Sequence, residues 1–105
     1  MNQDCQFFVK VGKEDKHYLR FFWDHLWGRW TVFDGDRIVY RKMNSFGRHT
    51  VRSFKYVGER EYLIEIKRDL EIMTPSISDV TFTIFIDGIE VARHSTSDGI
   101  MSEPK

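Results

Sequence analysis

The sequence predicts an all-β fold, an antiparallel β-sandwich of about eight strands built from two similar four-stranded halves. Three observations carry this. Two β-prone runs flank Asp34-Gly35 and two more flank Asp87-Gly88, a dipeptide whose tolerance of positive φ suits a tight hairpin. Turn signals recur at short intervals, and no stretch shows the apolar periodicity of a long helix. Finally, 41% hydrophobic and 15% aromatic content in 105 residues is enough for one core and argues against disorder.

In chain order, residues 1–5 read as a flexible N-terminus. Phe7–Val11 forms a first strand with Phe7, Val9 and Val11 on one face, and a polar turn over 12–16 follows. The second strand, His17–Trp23, aligns Leu19, Phe21 and Trp23. Asp24–Arg29 is a hairpin loop with Gly28 near its end. Arg29–Phe33 and Arg37–Met43 flank the first Asp-Gly turn, and Asn44-Ser45-Phe46-Gly47 breaks the pattern. His49–Val57 is a fifth strand, its apolar content carried mainly by Phe54 and Val57. After a turn at Gly58-Glu59-Arg60, Glu61–Lys67 alternates Tyr62, Ile64 and Ile66 with charged residues. Residues 68–73 fit either an extension of that strand or one helical turn. Residues 74–79 read as a loop, since Pro75 cannot donate to a ladder and Ser and Asp favour turns. Val80–Ile86 and Ile89–Arg93 flank the second Asp-Gly turn, and 95–105 reads as a flexible tail beyond a single domain over 6–94.

The two halves echo each other. Phe8-Val9-Lys10-Val11-Gly12 before His17-Tyr18-Leu19 matches Phe54-Lys55-Tyr56-Val57-Gly58 before Glu61-Tyr62-Leu63, and each half ends in an Asp-Gly hairpin. Two such halves stacked face to face would bury apolar faces that neither could bury alone.

Composition sets further expectations. The 16 basic and 16 acidic residues cancel, so global charge points to neither nucleic acid nor a membrane. One cysteine, Cys5, excludes an intramolecular disulfide and fits a reducing, cytoplasmic setting. The polar N-terminus does not read as a signal peptide, and no apolar run approaches the roughly 20 residues of a membrane-spanning helix.

The run from Gly28 to Gly35, then Val39-Tyr40-Arg41-Lys42, then Ser53-Phe54-Lys55-Tyr56-Val57-Gly58 resembles the Fas apoptotic inhibitory molecule family. The similarity covers about residues 6–93 in order and rests on short hairpin motifs. The animal proteins carry two such domains in tandem, whereas this chain has room for one, and its Trp23–Trp30 segment is more aromatic. The resemblance implies an eight-stranded sandwich with a non-enzymatic, protein-binding role.

For chemistry, the sequence offers little. His17, His25, His49 and His94 show no zinc-site spacing, and no cofactor or metal is expected. Ser45, Ser53, His49 and Asp24 are the residue types of a hydrolytic site without any motif that joins them, so no catalytic residues are expected. Binding is better represented. All three tryptophans lie between Trp23 and Trp30; Trp23 and Trp30 are expected to pair across the hairpin, leaving Trp27, with His25 and Arg29, as a contact patch. Seven basic residues, Arg37, Arg41, Lys42, Arg48, Arg52, Lys55 and Arg60, are opposed between 37 and 60 only by Glu59. Of these, Arg37, Arg41, Arg48 and Arg52 are candidates for a basic sheet face that receives nucleic acid or an acidic ligand. The leading expectation is a module that binds a protein partner near the Trp27 loop and the first Asp-Gly hairpin. Nucleic-acid binding over 37–60 is the alternative, and the exposed strand edges would permit a homo-oligomer.

Overall fold

A computed structural model describes residues 4–12, 17–44, 49–74 and 77–95, with side chains described for all of these except 17, 71–74 and 77–79. The eight strands are β1 (Cys5–Val11), β2 (His17–Asp24), β3 (Arg29–Asp34), β4 (Arg37–Lys42), β5 (His49–Val57), β6 (Glu61–Thr74), β7 (Ile77–Ile86) and β8 (Ile89–Ser95). They form two antiparallel four-stranded meanders, β1-β2-β3-β4 and β5-β6-β7-β8. Each half is thus one sheet, as the sequence predicts.

The sheets stack with β1 over β8 and β4 over β5. Phe7 of β1 stacks on His94 of β8 at 4.9 Å, and Tyr40 of β4 stacks on Phe54 of β5 at 4.5 Å. Between these edges the core is aromatic. Trp23 and Trp30 are paired partners across β2 and β3 and are fully buried. Their rings lie 5.7 and 4.7 Å from Phe82 of the opposite sheet, with Trp30 edge-on to it. Such pairs add about 0.5–1.5 kcal/mol each beyond the area they bury. Above the tryptophans sits Arg68 of β6, itself buried, with its guanidinium 4.9 Å from the Trp23 ring. Burial lowers the Arg68 pKa.

Several elements differ from the sequence reading. Residues 68–73 are strand: β6 runs without a break to Thr74, because Arg68 and Leu70 continue the inward alternation of Tyr62, Ile64 and Ile66. The expected loop over 74–79 shrinks accordingly. Thr74 already pairs with Ile77, Ile72 with Ser78 and Glu71 with Asp79, so only 75 and 76 lie between the strands, outside the described residues. Cys5 belongs to β1 and is completely buried, and Ser95 belongs to β8; residues 96–105 lie outside the described residues.

The sequence echo between halves is a one-residue slip. Val11 is buried, whereas its counterpart Val57 is 69% exposed, and Phe54 and Tyr56 take the inward positions of β5. A strand alternates faces with period two, so a motif shifted by one residue presents the opposite set of side chains. The two Asp-Gly turns differ in the same way. In the second, Asp87 and Gly88 are both central, at φ 52° and 84°, the arrangement of a type I′ turn. In the first, Asp34 still pairs with Arg37, and Gly35 (φ 63°) is the first central residue, as in a type II′ turn. A Cβ at either glycine would meet nothing, so the dihedral alone requires them.

Placed at the end of β3, Asp34 becomes a tie between sheets. Its carboxylate accepts a hydrogen bond from the Tyr56 hydroxyl of β5 at 2.8 Å and another from Arg37 at 3.2 Å. Burial and the Asp34 carboxylate push the Tyr56 pKa from 10.0 up to about 12. Asp87 instead ties its hairpin to β6: it accepts from the Leu63 N–H at 3.0 Å and from Arg60 at 2.8 Å.

Two outcomes follow. Trp30→Ala should destabilise the fold by about 3–5 kcal/mol, read from the urea midpoint, because it opens a void against both Trp23 and Phe82. Tyr56→Phe should cost about 1 kcal/mol at neutral pH. Since the folded-state pKa of Tyr56 is raised, its contribution is complete below pH 10.0 and lost as pH rises through about 12. The variant should therefore flatten the alkaline fall in stability; an unchanged alkaline limb would contradict the tie.

Candidate functional site

The loop between β2 and β3 is built from Asp24 outward. Asp24 Oδ1 accepts from the backbone N–H groups of Leu26 (3.1 Å) and Trp27 (3.4 Å), and Oδ2 accepts from Arg29 at 3.2 Å. This is the short-range turn capture that Asp favours. The His25 N–H donates to Asp4 at 2.8 Å, which fastens the loop to the chain leading into β1, and Gly28 closes it at φ 58°. The result is a fixed backbone that holds two apolar side chains in solvent, Leu26 78% exposed and Trp27 55% exposed. Trp23 and Trp30 pair beneath it, as the sequence predicts. His25 and Arg29 are half-buried at the base, so the outward contact pair is Leu26 and Trp27. Leu26 was legible only as a loop residue; its exposure follows from the Asp24 capture.

The expected link between this loop and the first Asp-Gly hairpin does not hold. Successive turns of a meander fall at opposite ends of the sheet, and the six residues of β3 separate these two by about 17 Å. The Asp34 hairpin lies instead at the end that holds Asp87. There a groove of about 800 Å³ is lined by Lys10, Tyr62, Ile89 and Val91 beside Arg60 and Asp87. Four of its polar residues are engaged with one another: Arg60 with Asp87, Tyr62 donating to Glu59 at 2.6 Å, and Arg60 over the Tyr62 ring at 4.1 Å.

The basic residues of 37–60 do not share a sheet face. Arg41 points outward from the first sheet opposite Thr31, and Lys55 outward from the second, whereas Arg52 lies on the inner side of β5 with Phe54 and Tyr56. Arg52 is close enough to Tyr40 to offset part of the burial that raises the Tyr40 pKa. Arg37, Lys55 and Arg60 are in ion pairs with Asp34, Glu61 and Asp87. Arg48 lies outside the described residues. The run of positive charge along the chain is divided by strand alternation and by the change of sheet between β4 and β5.

The residue types of a hydrolytic site are likewise apart. His49 pairs with Asp69 at 2.7 Å, Ser53 faces solvent two periods of alternation further along β5, and Asp24 is in the other sheet; Ser45 lies outside the described residues. Among the described residues no three His, Cys, Asp or Glu side chains gather into a metal-binding group. Among the same residues no helix is long and apolar enough to cross a membrane.

Sequence reasoning missed one further feature, the outer face of β1–β4. Phe8, Tyr18, Phe22 and Phe33 share it with Lys10, Arg20, Arg29 and Arg41. The signal was present, since Phe8, Phe22 and Phe33 stand at the positions of each strand opposite to its core residues.

Comparison with protein families, curated proteins and solved structures finds no match.

Trp27 is the exposed indole, against two that are fully buried. Trp27→Ala should therefore abolish most fluorescence quenching by acrylamide while changing stability by no more than about 0.5 kcal/mol. A larger loss would place the ring in the core.

Proposed function

We propose that this chain is a non-enzymatic β-sandwich interaction module that docks a protein partner through the β2–β3 loop. The observation that carries the reading is the exposed Leu26-Trp27 pair on a backbone fixed by Asp24. An apolar pair on a flexible loop would lose its gain to ordering entropy; one already held in place does not. Tryptophan is also the residue type most enriched among interface hot spots, where a large ring enters a dry pocket. Arg29, bonded to Asp24 at the loop base, supplies a polar rim. The resemblance to the Fas apoptotic inhibitory molecule family supports the same reading, of a single-domain relative that binds protein. The lone buried thiol of Cys5 suits a cytoplasmic setting.

Affinity capture from the native host with the wild-type chain and with Leu26→Ser/Trp27→Ala tests this. A partner retained by the wild type should lose about tenfold or more in affinity to the double variant, which removes about 1.4 kcal/mol or more of contact. Equal retention by both, with both folded, would refute the loop as the docking element.

A further inference from the structure

The outer face of β1–β4 carries an inference independent of the loop. The outer face of a two-sheet sandwich is ordinarily polar; that of β5–β8 sets Glu61, Glu65, Asp69 and Glu90 against Lys55, Lys67 and Arg93, with Val51, Val57, Leu63 and Phe85 placed singly among these charges. The β1–β4 face departs from that pattern twice. Among the described residues it carries four aromatic rings, and its four cations are opposed by Asp24, which is already paired with Arg29, and by Asp4 just ahead of β1, which accepts from the His25 N–H.

The rings are arranged in order. Phe8 lies opposite Arg20, which lies opposite Phe33, while Phe22 is opposite Gln6 and Thr31, and Tyr18 is opposite Lys10. Tyr18, Phe8, Phe22 and Phe33 are therefore successive diagonal neighbours on adjoining strands, each step about 7–8 Å. Arg20 occupies the middle of this path. Its guanidinium carbon sits 4.0 Å over the Phe33 ring and its Nη1 donates to Gln6 at 3.1 Å, so its position is fixed. Lys10 and Arg41 stand at the margins, on β1 and β4.

We infer that this face binds single-stranded nucleic acid. Aromatic rings and guanidinium groups stack bases without regard to sequence, and flanking cations hold the phosphates. The excess of positive charge selects an anionic ligand, and rings spaced as single platforms select one whose planar groups are unpaired and can be splayed. A duplex, with its bases stacked internally, offers only its phosphates to such a face.

The test is titration of a labelled single-stranded oligonucleotide of about 10 nucleotides, as DNA and as RNA, and of the matching DNA duplex, with the full chain. Fluorescence anisotropy gives affinity, and amide shifts of the wild-type chain give location. At least one single strand should bind more tightly than the duplex, with shifts concentrated at residues 6–10, 18–22, 29–33 and 41. Phe22→Ala should weaken binding by about tenfold or more, and Arg41→Ala should make the fall of affinity with salt shallower. If Phe22→Ala fails to fold, the wild-type shift map and the strand-to-duplex preference still decide. The inference is overturned by absence of binding at low salt, by equal affinity for duplex and single strand, or by shifts confined to other surfaces. It is also overturned by sedimentation showing that a second copy of the chain or a captured protein covers this face in place of the oligonucleotide.

Discussion

The contact of Trp23 and Trp30 with Phe82 is the constraint on which the rest of the fold depends. Neither four-stranded meander can dry its apolar face alone, and the widest side chains of each meet at this point. Once these rings are interleaved, the phase of β2, β3 and β7 is set, because an inward Trp makes every second residue inward with it. The partner strands inherit the phase through their ladders. The two flanks of the sandwich then close with smaller contacts, Phe7 on His94 at one side and Tyr40 on Phe54 with the Tyr56–Asp34 bond at the other.

The same phase determines what is left outside. In β5–β8 the outward positions hold charges of both signs with single apolar residues, Val51, Val57, Leu63 and Phe85, among them. In β1–β4 they hold Phe8, Phe22 and Phe33 around Arg20, an assortment that packing between the sheets does not require. The β2–β3 loop is a second departure, since Asp24 spends its carboxylate on holding Leu26 and Trp27 where they gain no burial. Both features lie on the first sheet. The apparent symmetry of the halves is thus a symmetry of scaffold, and the chemistry is concentrated on one of them.

The internal repeat shows how a short motif misleads. Val11-Gly12 and Val57-Gly58 look equivalent, as do Asp34-Gly35 and Asp87-Gly88, yet in each pair one member is shifted by one residue. The shift exchanges inside for outside in β5 and turns a central Asp into the strand-ending Asp34. That exchange frees Asp34 to bind Tyr56 of the other sheet. Asp87, held within the turn, reaches only Leu63 and Arg60 of its own sheet.

Local pattern determined the number of strands, their limits at the turns to within about one residue apart from the β6–β7 turn, the two meanders and the pairing of Trp23 with Trp30. Alternation and turn chemistry are properties of a few adjacent residues and can be read from them. Trp27 was legible as exposed for the same reason, being a loop residue between two paired tryptophans. The extension of β6 across Arg68 was not, because a charged residue facing inward is tolerated only once Trp23 is there to lie against it. The distance of the Trp27 loop from the Asp34 hairpin follows from the meander and the length of β3. The scattering of the basic run over different faces was not legible, since it depends on which face each strand turns to the core. Only the docking of the two sheets decides that, because burial rewards the inward set of side chains as a whole and no single segment contains it.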